Sequence, residues 1–103
     1  MDINISTRIK LNNGIEMPIL GFGTYLIKGE KTVKESLTAA LDAGYRLIDT
    51  AQMYENEEYI GEAIQESRIP REEIFVTTKL DNNQHGFDKA KRAFDESMRR
   101  LKL

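Results

Sequence analysis

Apolar and polar positions change period several times along the chain, and each change marks an element. In the stretch Lys10 to Met17, Asn13 and Gly14 separate two short apolar runs, the strongest local signal for a β-hairpin. Ile19 to Phe22 reads as a short strand, followed by Gly23, Thr24 and a loop through Gly29. The period then becomes helical: Val33, Leu37, Ala40 and Leu41 fall on one face, with Thr32 and Glu35 as a capping box and Gly44 just past the end. Tyr45 to Asp49 predicts a second strand and Thr50 to Glu55 a loop. Asn56 is placed to cap a second helix, with Ile60, Ala63 and Ile64 inward, which Ile69 and Pro70 stop. Ile74 to Leu80 predicts a third strand, whose successive apolar residues fit burial on both faces. After a polar loop from Asp81 to Gly86, Ala90, Phe94, Met98 and Leu101 predict the inner face of a last helix, with Arg99, Arg100 and Lys102 favourable at its carboxyl end.

Strand and helix in alternation signify right-handed βαβ units on a parallel sheet, an α/β fold. Three parallel strands would leave both sheet edges open, and the chain stops straight after a helix, where a further strand is expected. No low-complexity segment or linker divides the chain internally. Its 103 residues are 40% hydrophobic and 31% charged, an ordinary globular composition. A net charge of −2 offers no broad attraction to phosphate backbones or anionic lipid, so nucleic acid and membrane are poor partners. With no Cys and His85 as the single histidine, a disulfide, a thiolate zinc site and a two-His metal site within one chain are excluded. Asp2 stands where a secretion leader carries positive charge, and the longest apolar stretch, Met17 to Ile27, is broken by Pro18, Gly21 and Gly23. A cytoplasmic location is the expectation.

In parallel α/β folds, ligands sit at the carboxyl ends of the strands, so the residues just after each strand carry the chemistry. Gly21 and Gly23 form a G-x-G, but the third glycine of the dinucleotide fingerprint would fall at Leu26, so a tight turn or close packing explains the pair. That failure and the lack of a P-loop also weigh against a small flavodoxin-like nucleotide-binding unit. Asp49 closes the second strand, where a carboxylate is costly unless a cation answers it. Lys79, at the end of the third apolar run, is the candidate. Taken singly, each residue has a plain structural role: Lys79 snorkelling to solvent, Asp49 capping a turn, Tyr54 as a half-buried loop aromatic, His85 as a loop histidine beside Gly86.

Together they fit a specific pattern. The string Gly44 to Glu57, GYRLIDTAQMYENE, resembles the aldo-keto reductase motif G-[FY]-R-x-[IL]-D-T-A-x-x-Y-x-N-E. LNNGIEMPILGFGTY resembles the family's opening hairpin and first strand, and REEIFVTTKL its third strand ending in the active-site lysine. The resemblance implies the N-terminal part of a (β/α)8 TIM barrel, an opening β-hairpin plus about three βα units. Residues 1–103 would be a partial domain, incomplete at the C-terminus, because a whole barrel needs roughly 250 residues. It also implies reduction of an aldehyde or ketone with a nicotinamide cofactor, NADPH or alternatively NADH. Three members of the family's catalytic tetrad map to Asp49, Tyr54 and Lys79. The fourth, a histidine, has no counterpart, and His85 does not match its place. By the same resemblance Gly23, Thr24 and Tyr25, with Asp49 and Lys79, would bind the cofactor. Tyr25, Met53 and Tyr54 would face the substrate, although the family often has Trp at the position of Tyr25.

A free tyrosine, with a pKa of about 10, is a weak acid unless a neighbouring cation favours its ionised form. That gives Lys79 a role beside Tyr54, and Asp49 the role of holding Lys79. The 103 residues alone are expected to be inactive, needing the remainder of the barrel. The competing expectation is a non-catalytic truncated product that self-associates through open sheet edges, with Leu20, Ile48 and Val76 facing the missing side of the barrel.

Overall fold

The computed structural model describes residues 3–103; Asp2, part of the argument against a secretion leader, lies outside them. The chain opens with an antiparallel hairpin, β1 (Arg8–Lys10) and β2 (Glu16–Pro18), joined by a turn in which Gly14 takes φ 87°. The Leu11 N–H donates to the Ile15 carbonyl and the Asn13 side chain accepts from the Ile15 N–H, so the Asn-Gly pair sets the turn as the sequence predicts. Three parallel strands follow, β3 (Gly21–Gly23), β4 (Leu47–Asp49) and β5 (Phe75–Thr77), in the order β3-β4-β5. The helices are α1 (Glu30–Asp42), α2 (Glu57–Glu66) and α3 (Phe87–Leu101). The first strand therefore starts two residues later than expected. Pro18 has no N–H, and the Ile19 N–H donates back to Thr7, so these residues still belong to the hairpin.

Register divides the sheet cleanly. Phe22, Ile48 and Val76 are aligned across the strands and pack with Val33, Leu37, Leu41, Ile60, Ile64 and Ile74 under the helices. Ile48 is wholly buried there, so the expectation that Ile48 and Val76 face the open side is corrected; Leu20 alone is exposed. The alternate rows, Gly21, Leu47, Phe75 and then Gly23, Asp49, Thr77, line the opposite face. Phe75, Val76 and Thr77 are only half-buried, because helices cover one face of β5 and not both. The glycine in the first of these rows is explained by close packing: a Cβ on Gly21 would lie 2.8 Å from Leu47 Cδ2.

Helix ends also differ from the sequence reading. α1 begins at Glu30 after Gly29, with the Val33 N–H donating to the Gly29 carbonyl, so Thr32 lies inside the helix and forms no capping box. At its other end Gly44 (φ 107°) donates to Leu41 and Tyr45 to Ala40, the paired bonds of a Schellman motif. Lys34 on α1 reaches Glu62 and Glu66 of α2 at 3.1 and 3.2 Å, and Glu30 at 3.1 Å. Glu62 first, then Glu30 and Glu66, hold its ammonium pKa above the ordinary lysine range.

α3 buries Ala93, Ser97 and Leu101, whereas Phe94, expected inward, is 57% exposed. Ala93 and Ser97 face inward instead, where Gln52 donates to the Ala93 carbonyl and the Ser97 hydroxyl, and at the end of α3 Gly61 of α2 lets the two helices approach until a Cβ there would be 1.9 Å from the Leu101 carbonyl oxygen. Among the described residues, no helix is long and apolar enough to cross a membrane.

Candidate active site

Asp49, the last residue of β4, and Lys79, two positions past β5, stand on the open face of the sheet at the carboxyl ends of the strands. Lys79 Nζ donates to Asp49 Oδ2 at 2.8 Å and to the Thr50 carbonyl at 3.0 Å. The Thr77 hydroxyl donates to the other oxygen of Asp49. Burial works against the charge of each group, yet the Lys79 and Thr77 hydrogen bonds hold the Asp49 carboxyl below its ordinary pKa. Burial likewise works against the Lys79 ammonium, but Asp49 and then Tyr54 hold its pKa above the ordinary lysine value.

Tyr54 enters from a short 3-10 turn, Gln52–Tyr54, closed by Glu55 at φ 57°. Its hydroxyl oxygen accepts from Lys79 Nζ at 3.4 Å, and the ammonium also lies 5.0 Å from the centre of the Tyr54 ring. The Tyr25 ring packs edge-on against Tyr54, with centroids 5.2 Å apart at 67°. Tyr25 and Met53, 64% and 51% exposed, present apolar surface at the same end of the sheet. Gly23 aligns with Asp49, and a Cβ there would meet nothing within 4 Å, so it forms an open floor beside the carboxylate.

The helix side of the strand ends is built from polar residues. Thr24, Thr50 and Thr78 continue the row that contains Phe22, Ile48 and Val76. Asn56, 1% exposed, accepts from the Thr50 hydroxyl at 2.6 Å and donates to the carbonyls of Thr24 and Ile27, both at 3.0 Å. It precedes α2 but its side chain does not cap that helix; it ties β3 to β4. Glu57 accepts from the Thr78 hydroxyl at 2.7 Å and from Arg100 at 2.8 Å. Gln52 joins in, its side chain donating to the Ala93 carbonyl and Ser97 and accepting from the Asp81 N–H.

Of the residues singled out in the sequence, Asp49, Tyr54 and Lys79 are brought together, and Tyr25 packs against Tyr54. Thr24 is 1% exposed, and its N–H and hydroxyl both donate to the Asp49 carbonyl, so its polar atoms serve the sheet. His85 stays exposed in the loop before α3. Asn56, Glu57, Gln52 and Arg100 were missed as site-building residues. Asn56 and Glu57 close the motif string, but the partner that makes Glu57 a buried ion lies 43 residues away. A cavity of about 400 Å³ lies on this outer side, between Gln52, Glu58, Asp81, Glu96 and Arg100, away from the Tyr54 hydroxyl.

Residues 19–103 match the model of the aldo/keto reductase family. Morphine 6-dehydrogenase of Pseudomonas putida is 50% identical over 98 residues, which is 95% of this chain and 33% of that protein. Glyoxal reductase of Bacillus subtilis is 42% identical over 103 residues, 100% of this chain and 37% of that protein. The chain thus spans about a third of the length of these curated relatives. The crystal structure of a Bombyx mori aldo-keto reductase in complex with NADP superposes with a TM-score of 0.88 at 37% identity, covering 98% of this chain and 36% of that one. These likenesses make the hairpin and three βα units the opening part of a (β/α)8 barrel. A match of this extent to the family's own model, over strands that bring Asp49, Tyr54 and Lys79 into one cluster, establishes that the chain belongs to the aldo/keto reductase family.

Proposed function

We propose that the protein reduces an aldehyde or ketone to an alcohol, with Tyr54 as the proton donor. The observation that carries this reading is the Lys79 ammonium, 3.4 Å from the Tyr54 hydroxyl and 2.8 Å from Asp49. Tyr54 hands its proton to the carbonyl oxygen, and the phenolate left behind is stabilised by Lys79 before it regains a proton from solvent. Asp49 holds the ammonium in place. Tyr25 and Met53, exposed on the same end of the sheet, offer apolar walls to the substrate.

A bound nicotinamide cofactor, NADPH or alternatively NADH, would supply the hydride for the carbonyl carbon. The residues present fit the nicotinamide end of such a group. Gly23 leaves a clear floor beside Asp49, and Tyr25 and Lys79 are exposed at its border. Thr24 supports that floor from within. The NADP in the Bombyx mori structure supports the choice of dinucleotide. In this reading residues 1–103 are a partial domain and show no reductase activity alone, because positioning both reactants needs groups from the rest of the barrel.

The test is Tyr54→Phe in the full-length protein, assayed by NADPH oxidation with a generic aldehyde. Turnover falls by at least about a hundredfold, the usual worth of a positioned general acid, while NADPH affinity is retained. A variant with near-full turnover would show that another group donates the proton.

A further inference from the structure

We propose that Thr78, Glu57 and Arg100 form a positioning clamp for Lys79, so that the place of the ammonium beside Tyr54 is set from the helix side of the sheet. The inference rests on reading Lys79 as the cation of the active site. Glu57 opens α2, and its side chain is 1% exposed. A carboxylate so buried is costly unless every oxygen is answered. Nε and Nη2 of Arg100 both lie 2.8 Å from Oε1, and the Thr78 hydroxyl donates to Oε2 at 2.7 Å. Compared with apolar side chains of the same volume, such a pair adds little net stability; what it adds is direction, through the planar guanidinium.

That direction is applied to the backbone that carries Lys79. β5 ends at Thr77, so Thr78 and Lys79 lie beyond the strand proper. Successive residues of an extended segment point to opposite faces. Thr77 bonds to Asp49 on the open face, Thr78 to Glu57 on the helix face, and Lys79 to Asp49 and Tyr54 on the open face again. The Thr50 and Gln52 N–H groups donate to the Thr77 and Lys79 carbonyls at 2.8 and 3.1 Å, so the ladder sets the alternation of faces but anchors this segment along one side only. The bond of Thr78 to Glu57 pins the segment from the helix side, and through Arg100 it makes the seat of Lys79 depend on the position of α3.

Thr78→Val removes the hydroxyl and keeps the shape, and Thr78→Ser restores the hydroxyl. Lysine labelled with ¹³C at Cε lets the Lys79 titration be followed by NMR in the full-length protein, with the amide spectrum away from residues 77–81 as the control for fold. Thr78→Val shifts the Lys79 titration down toward the ordinary lysine value, because the ammonium drifts from Asp49 and Tyr54. Thr78→Ser leaves it where the parent has it. If the second Val methyl disturbs the fold beside the Glu57 carboxylate, Thr78→Ala removes the same hydroxyl with room to spare. An unchanged Lys79 titration in a folded variant lacking the hydroxyl overturns the clamp. Failure of the underlying reading shows elsewhere, as retained turnover in Tyr54→Phe.

Discussion

Replacing Gly61 by Ala sets two effects of opposite sign against each other. Gly61 lies in the middle of α2, and from helix propensity alone the change should stabilise the protein by about 1 kcal/mol. The tertiary contact opposes this. A Cβ at position 61 would sit 1.9 Å from the Leu101 carbonyl oxygen and 2.6 Å from its carbon, where real contacts stay beyond 3.0 Å. The obstacle is backbone, which cannot rotate aside, so α2 and α3 must part by at least about 1.1 Å. Between them lie Ile60, Ile64 and Leu101, 0%, 3% and 2% exposed, and parting the helices opens voids around all of them. Forced overpacking of this kind costs about 1–3 kcal/mol, with loss of packing added. The clash outweighs propensity, and Gly61→Ala destabilises by about 2 kcal/mol net. In a thermal melt of the full-length protein followed by circular dichroism that amounts to a fall of roughly 4–8 °C for a barrel of about 250 residues. A Tm equal to or above that of the parent would refute the close approach of the two helices.

Two further outcomes follow from the polar network. Asn56→Ala orphans the buried Thr50 hydroxyl and removes the amide donor from the carbonyls of Thr24, which keeps the Ile27 N–H, and half-buried Ile27, and costs about 2 kcal/mol in urea unfolding; a loss below about 0.5 kcal/mol would mean that water replaces the amide. Asp49→Asn alters how stability depends on pH. The depressed Asp49 pKa gives stability that is present above the ordinary value of 3.8 and is lost as pH falls through the folded value. The raised Lys79 pKa gives stability that is full below 10.5 and is lost as pH rises through the folded value. Asp49→Asn therefore flattens both limbs, and denaturation midpoints from pH 3 to 11 that keep the parent's slopes would contradict the pairing.

What the sequence determined by itself is the local grammar. The Asn13-Gly14 turn, the helical faces of α1 and α2 and the alternation of strand and helix all follow from periods of two and 3.6 residues, which neighbours along the chain enforce. The same alternation puts Asp49 and Lys79 at strand ends as candidates for a pair, and the resemblance of the Gly44–Glu57 string and of REEIFVTTKL to the family pattern is what joins them with Tyr54. Tertiary structure decided whatever depends on the distance between elements. Phe94 has the right spacing to face inward, yet α3 turns Ala93 and Ser97 inward, where Gln52 from a distant part of the chain donates to the Ala93 carbonyl and the Ser97 hydroxyl. Asn56 has the chemistry of a helix cap, but its Oδ1 accepts from the Thr50 hydroxyl instead of a helix N–H, while its Nδ2 donates to two carbonyls of the β3 loop. Glu57 closes the motif string with nothing nearby in sequence to answer its charge; Arg100, brought beside it by the packing of α3 on α2, offsets the cost of its burial. Periodicity fixes which face a residue occupies, while the charge or cavity that meets that face belongs to another part of the chain.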